Sequence, residues 1–362
     1  MATGRLALKT ALQNAEKAKD FLKERKLIVP GLALKKVGKY IYFPLVEKPP
    51  VKPPFSASFS KAVFGMIEQP RDLRQTLAAT GKFSGEDLDE LITSFDTVGD
   101  IALLDIPESL ESREKLIAQT VMRLNSHIKV VAKKKSAMKG EYRVRELEVI
   151  AGQKRTETIY KESGCLFKLD LAKVFFSPRL SFERLRVAKM VKPNKNALVL
   201  FAGVGPFAIV IAKKQPSAKV AGVELNPAAI KYFNENIALN KMEGRVRAVE
   251  GDVDKIVPKK FADWADYIHM PAPHTATEFL DSALRAARKG CIITFYGFER
   301  TDGKTEPYVM GAEGRILVSP VRARVQEACK RNKRKCKIIF EREVRTYAPN
   351  VIQNAVDFQV LN

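Results

Sequence analysis

Histidine is scarce, with three residues in 362, and none of them sits in a cluster of cysteine, aspartate or glutamate at metal-ligand spacing. The four cysteines, Cys165, Cys291, Cys329 and Cys336, form no CxxC pair. Together these shortages argue against a metal centre and against a disulfide framework, and predict buried free thiols in a reducing cytosol. No run approaches the roughly 20 apolar residues of a membrane span. The opening stretch MATGRLALKTALQNAEKAKD has no apolar core for a secretory signal, so the expected location is cytoplasmic. Internal repeats are absent, as are low-complexity tracts beyond a proline stretch and short lysine runs. Acidic residues are also in deficit: 41 Asp and Glu stand against 63 Lys and Arg, a net charge of +22. A field of that sign favours a polyanionic partner. The basic residues cluster at Lys133, Lys134, Lys135 and Lys139, followed by Arg143 and Arg145, which points to nucleic acid rather than to a membrane surface.

The chain is long enough for two or three domains with their own cores, and 46% of it is apolar. Residues 1–50 predict a small module: a helix over Ala11–Leu27 from apolar spacing, then short strands around YIYFPL. Four prolines in Glu47–Pro54 (EKPPVKPP) predict an extended spacer and a domain boundary. Residues 51–90 form a linker and an irregular segment, with a helix near Asp72–Ala79 and another opened by Ser84 with Asp87 three residues on. Residues 91–170 carry an α+β pattern: a β core at Ile101–Leu104, a helix over Ser109–Asn125, the strand HIKVVAKK, and strands within Arg143–Ala151, Thr156–Tyr160 and Leu166–Leu169.

From residue 171 the pattern becomes a doubly wound one. Strands are predicted at 197–201, 219–224, 245–250, 266–270 and 291–297. Helices are predicted at 206–214, 227–240, 275–288 and 320–333, the last capped by Ser319 with Pro320 at its first position. Alternation of this kind implies right-handed crossovers and a parallel sheet. Two long β runs, joined at Pro349–Asn350, close it as an antiparallel hairpin. The predicted fold is α/β: a Rossmann-like class I methyltransferase domain with a C-terminal β-hairpin, behind an α+β RNA-binding domain and a small N-terminal module.

Asn196–Pro206 (NALVLFAGVGP) places a glycine turn at the carboxyl end of the first strand, where open α/β sheets bind cofactors. It is GVGP and not GxGxxG, which argues against a dinucleotide. Glu224 ends the next strand about twenty residues on, spaced to accept ribose hydroxyls, and Asp252 follows the third strand, placed for an adenine amino group. Each acid alone fits an ordinary helix N-terminus, but three elements on successive strand ends point to S-adenosyl-L-methionine. The cofactor candidates are Phe201, Ala202, Gly203, Val204, Gly205, Pro206, Glu224, Leu225, Asn226, Asp252 and Val253. At the fourth strand tip, HMPAPH offers His269, Pro271, Pro273 and His274 toward a substrate, and the prolines donate no backbone hydrogen bond. Arg143, Arg145, Arg179, Glu183 and Arg184 precede the cofactor domain. Each is either a phosphate or active-site contact or a paired charge on a solvated face.

The runs SFDTVGDIALLDIP, GCLFKLDLAKVFFSPRLSFER, FAGVGPF, ELNP, NENIALNK and HTATEFLD resemble the archaeal and eukaryotic tRNA (guanine-37-N1)-methyltransferase family. The resemblance extends from YIYFPL to YAPNVIQNAVDFQV. It implies a module that touches the tRNA body, a middle domain that grips the anticodon stem-loop, and methylation of guanine-37 at N1 by a monomeric enzyme. It further implies that Arg143 or Arg145 steadies the guanine O6 and that Glu183 accepts the N1 proton. A carboxylate at N1 and a cation at O6 together promote deprotonation. One departure stands out. Where the family has Asn-Leu-Pro, this chain has Pro271-Ala272-Pro273. That departure brings in two alternatives. One is a wyosine-pathway transferase, which moves an aminocarboxypropyl group or methylates a carbon of a tricyclic guanine derivative. The other is a tRNA-binding scaffold that has lost catalysis.

Overall fold

A computed structural model of the chain describes residues 4–65, 72–136, 140, 142–271, 276–300, 309–310, 316–318 and 320–362. Lys139, Ala272, Pro273, His274 and Ser319 therefore lie outside the described residues. Two compact units divide the chain, Met1–Lys82 and Phe83–Asn362.

The first unit opens with a strand, β1 (Arg5–Ala11), before the helix α1 (Ala15–Glu24). The predicted helix start at Ala11 is corrected by four residues. RLALKTA alternates, so Leu6, Leu8 and Thr10 share one face of β1 and the helix begins only where the apolar spacing lengthens. β1 lies at the middle of a four-stranded sheet with β2 (Lys35–Val37), β3 (Tyr40–Pro44) and β4 (Ala57–Ala62), in the order β2-β3-β1-β4. The proline stretch thus joins β3 to β4 inside one sheet and does not end the module at residue 50, and Ala57–Ala62 is a strand where an irregular segment was expected. Helix α1 lays Phe21 and Leu22 against Leu8, Ile41 and Phe43, each buried side chain contributing about 1.5–3 kcal/mol. Helix α2 (Leu73–Ala78) is capped by Asp72, whose carboxylate accepts from the Gln75 amide at 2.7 Å.

The second unit starts with α3 (Gly85–Glu90), closed by the predicted Ser84–Asp87 capping box. A four-stranded sheet follows: β5 (Asp96–Val98), β6 (Ile101–Leu104), β7 (Val130–Lys134) and β8 (Leu147–Gly152), with α4 (Glu114–Leu124) between β6 and β7. A hairpin of β9 (Glu157–Glu162) and β10 (Cys165–Asp170) leads to α5 (Ser181–Met190). Val98, Ile101, Val130 and Ala132 share one apolar cluster with Phe167, Val187, Val199 and Ile209. The middle region and the cofactor domain are therefore built on a continuous core.

The seven-stranded sheet runs β13-β12-β11-β14-β15-β19-β18. Its members are β11 (Asn196–Leu200), β12 (Lys219–Glu224), β13 (Val246–Glu250), β14 (Ala265–Met270), β15 (Ala287–Arg300), β18 (Cys336–Ala348) and β19 (Val351–Val360). The first five are parallel, and β19 and β18 are antiparallel, as predicted. The helices are α6 (Pro206–Lys214), α7 (Pro227–Leu239), α8 (Val253–Lys260), α9 (Leu280–Ala286) and α10 (Pro320–Arg331), and a short pair, β16 (Val309–Met310) and β17 (Ile316–Val318), precedes α10. Helix α8 was not anticipated, because VDKIVPKK carries a proline within its eight residues. Helix α9 is shorter than predicted at both ends, since β15 already begins at Ala287 in register with Ala265.

Two expectations about charge and cysteine are corrected. Cys329 and Cys336 form a disulfide, their Cα atoms 6.3 Å apart. The turn between α10 and β18 brings them together, although their spacing matches no standard motif. Cys165 and Cys291 are buried free thiols as expected. The lysine cluster is partly neutralised: Lys133 pairs with Glu114 at 2.6 Å and Glu111 at 3.0 Å, and Lys134 pairs with Asp105 at 2.6 Å. The Glu114 and Glu111 hydrogen bonds push the Lys133 pKa up to about 12.

Candidate cofactor cleft and catalytic centre

β11 is the switch point of the sheet, where strand order reverses between β12 and β14, the position beyond whose carboxyl ends open α/β sheets bind their ligands. At its end the backbone turns sharply. Phe201 adopts φ 57°, Gly203 φ 57° and Gly205 φ 86°, a left-handed run that only glycine adopts without cost. The two glycines serve different ends. A Cβ on Gly205 would lie 2.1 Å from the Phe233 ring, and one on Gly222 would lie 2.5 Å from the same ring. These two glycines let α7 pack onto β11 and β12. A Cβ on Gly203 would meet nothing closer than the Phe175 carbonyl at 3.9 Å, so Gly203 is the position open to a ligand. Pro206 opens α6 at its first turn, and Val204 and Ala202 are buried beneath.

Glu224 faces this turn. One of its carboxylate oxygens accepts from the Gly203 amide at 2.7 Å and the other from the Asn226 amide at 2.8 Å. Burial raises its pKa, against the opposing amides of Asn226, Gly203 and Leu225. Each oxygen keeps a further lone pair, which suits ribose hydroxyls. Asp252 caps α8 by accepting from the Asp254 amide at 2.9 Å, and Val253 is buried behind it. Asn226 caps α7 and its amide donates to the Lys173 carbonyl at 3.0 Å. Asn236 and Asn240 extend this stitching. Asn236 exchanges hydrogen bonds with the Lys168 backbone at 2.7 and 3.0 Å, and Asn240 with that of Leu166 at 2.9 and 2.7 Å. The NENIALNK run is thereby explained. Two of its three asparagines, Asn236 and Asn240, pair with the backbone of β10 and fix the segment that carries Phe175, Arg179 and Glu183.

Glu183 is 2% exposed on the first turn of α5. Its Oε1 receives the Tyr296 hydroxyl at 2.8 Å and Arg186 Nη2 at 2.7 Å. Its Oε2 makes no hydrogen bond and lies 3.9 Å from Arg342 Nη1. Arg186 is held in turn by Asp357, with contacts at 2.5 and 3.2 Å. Burial opposes its charge, yet hydrogen bonds to Asp357 and Glu183 raise its pKa above the ordinary value. Burial and the neighbouring Glu183 push the Tyr296 phenol well up. His269, Thr294 and Asp357 stand in one cross-strand row. His269 is wholly buried, and burial together with Arg186 lowers its pKa to about 3, so the ring is neutral.

The arginines separate into different roles. Arg184 is 1% exposed and locked to Glu162 through two contacts of 2.5 and 2.6 Å. It is a structural ion pair, which corrects the expectation of a substrate contact. His269, expected at a substrate-facing tip, is likewise inside the sheet. Arg179 pairs with Asp96 at 2.7 Å and remains largely exposed. Arg143 lies 5.8 Å from the Phe175 ring centroid and interacts with Tyr347; burial lowers its pKa. Arg145 lines a separate hollow with Lys135, Ser136 and Ala172. Pro271, half-buried, follows the last residue of β14.

Sequence reasoning missed Arg186, Tyr296, Arg342, Arg345, Tyr347 and Asp357. A signal existed in KCKIIFEREVRTYAP, whose arginines and aromatics recur along one strand, but only the strand was read from it.

The chain matches the TRM5/TYW2 methyltransferase domain over residues 158–339 and the TYW2 N-terminal domain over 73–156. It is 41% identical over 270 residues to the tRNA (guanine(37)-N(1))-methyltransferase Trm5b of Pyrococcus abyssi, covering 75% of this chain and 76% of that protein. The crystal structure of that enzyme matches 99% of this chain and all of its own at a TM-score of 0.70. Trm5b of Methanocaldococcus jannaschii is 31% identical over 98% of both chains. A complex of aTrm5 with tRNALeu matches 99% of this chain and all of its own at 29% identity and a TM-score of 0.67.

Proposed function

We propose, for a chain that belongs to the TRM5/TYW2 methyltransferase family, the transfer of a methyl group from S-adenosyl-L-methionine to N1 of guanine-37 in tRNA, in the cytoplasm. The observation that carries the reading is Glu183: a buried carboxylate with one oxygen triply engaged by donors and the other making no hydrogen bond.

The Phe201–Pro206 turn, Glu224 and Asp252 would hold the cofactor, whose sulfonium supplies an electrophilic methyl group. Fit is supported by the open space at Gly203 and the spare lone pairs of Glu224. Guanine N1 carries a proton and is a poor nucleophile until it loses it. Glu183 Oε2 would take that proton as the N1 lone pair forms the new N–C bond and the methyl–sulfur bond breaks, its electron pair leaving on a neutral thioether, which is general base catalysis. Arg143, beside Phe175 and Tyr347, offsets the negative charge that develops on O6. Its position beside Phe175, the residue whose carbonyl lies nearest Gly203, favours Arg143 over Arg145 in this role. Arg186 and Tyr296 fix the carboxylate so that Oε2 is the oxygen presented.

Incubation with unmodified tRNA and labelled cofactor, followed by nucleoside mass spectrometry, tests the proposal. One methyl on N1 of guanosine is expected. An aminocarboxypropyl mass would select the wyosine-pathway alternative, and no product with retained tRNA binding would select the inert scaffold.

A further inference from the structure

Phe182 sits beside Glu183 at the start of α5 and is 67% exposed. Successive helical residues diverge by about 100°, so Glu183 turns into the core while Phe182 turns to solvent. An exposed phenylalanine alone is ordinary. This one is joined to the catalytic centre: the Arg342 guanidinium lies 5.3 Å from its ring centroid and its Nη1 lies 3.9 Å from Glu183 Oε2. Ring and cation thus lie in line with the carboxylate oxygen that makes no hydrogen bond. Along the same edge strand β18, Phe340 is 45% exposed and Arg345 lies 5.6 Å from the Tyr347 ring centroid, and the Tyr347 ring meets Phe298 at 4.4 Å in a tilted contact.

Resting on the guanine-37 reading above, we infer that the Phe182–Arg342 pair is a stacking platform for the unpaired nucleobase next to the target guanine in the anticodon loop. Any target whose N1 reaches Glu183 must leave the base stack, and its neighbour then loses a stacking face. A flat ring with a guanidinium held over it replaces that face. Aromatic rings and guanidinium planes are the surfaces on which single-stranded bases stack, and such stacking tolerates any base identity. The positive charge of Arg342 also suits the phosphate that links the two nucleotides.

The test uses the full chain and tRNA transcripts carrying 2-aminopurine at either nucleotide flanking guanine-37. Wild-type protein should quench the fluorescence of one of the two on binding. Phe182→Ala should abolish that quenching and weaken tRNA binding about 5- to 140-fold, the range for loss of one base–aromatic stack. Phe182→Tyr should keep both, and cofactor affinity should be equal in all three proteins. Quenching and tRNA affinity that persist in Phe182→Ala overturn the platform even where guanine-37 is methylated. A wild-type product lacking methyl on guanine-37 overturns the underlying reading instead, so the two failures are told apart.

Discussion

On one side of β11 the sheet ends in backbone: a left-handed turn at Phe201–Gly205, an amide-bound Glu224, and the Phe233 ring lying where Gly205 and Gly222 have no side chains. On the other side it ends in charge: Glu183, Tyr296 and Asp357 buried around a partly buried Arg186, drawn from α5, β15 and β19. The first half gives up side-chain volume to let a ligand and a helix approach. The second spends desolvation to hold one carboxylate oxygen in place. Damage to the two halves should therefore differ in kind, with turnover falling in the charged half and assembly falling in the backbone half.

The sharpest contrast is Glu183→Gln. Removal of a general base costs about 10²–10⁴ in turnover, and the amide keeps the size and one acceptor of the carboxylate. Single-turnover methylation should fall by that factor while tRNA and cofactor dissociation constants stay within a few-fold. Equal losses in rate and tRNA affinity would mean that Glu183 supports the fold and not the proton transfer.

Next in size is Arg186→Met. It leaves Asp357 and Glu183, both 2% exposed at the side chain, without their shared cation. Breaking a buried pair from one side costs about 3–5 kcal/mol. The double change Arg186→Met with Asp357→Leu should recover part of that in denaturant melts, since it removes one of the two stranded charges and leaves Glu183. Recovered stability with low turnover would mark Arg186 as a positioning residue; full recovery of turnover would remove it from the mechanism.

Gly205→Ala probes the other half. Its Cβ would overlap the Phe233 ring at 2.1 Å, and φ 86° disfavours any L side chain. Overpacking costs about 1–3 kcal/mol, and left-handed backbone adds roughly 1–2. The loss should appear in Tm and be eased by Phe233→Leu. A loss of cofactor binding with unchanged Tm would reassign Gly205 from packing to ligand contact.

The same division governs what could be read from the chain. FAGVGP, VELNP and the β-strand alternation are local signals, because a turn and its helix occupy neighbouring positions in sequence, and they located the glycine turn, the strand ending at Glu224 and the closing hairpin. The partition of Gly203 from Gly205 escaped, since it depends on where Phe233 lies. The charged half escaped more fully. Glu183 and Arg186 are local to each other, but Tyr296 and Asp357 join them only once β15 and β19 pair. Arg184 looked as functional as Glu183 in the run SFER, and only its pairing with Glu162 separates them. β1 escaped because RLALKTA is short and flanked by a stronger helical pattern.

The smallest expected effect also belongs to the charged half. His269 titrates at about 3 when folded, against 6.5 for an unperturbed ring, because burial and Arg186 disfavour its charge. The unfolded chain therefore binds a proton that the folded chain refuses between those values. Its contribution is fully present above pH 6.5 and is lost as pH falls from 6.5 toward 3, by about 1.4 kcal/mol per unit well below 6.5. Carboxylates add their own slope in the same range, so the readout is the difference between the wild type and His269→Gln. Chemical denaturation at steps from pH 7.5 to 5 should show the wild type losing stability faster than the variant. Parallel curves would place the proton-linked instability on the carboxylates and leave His269 as inert packing.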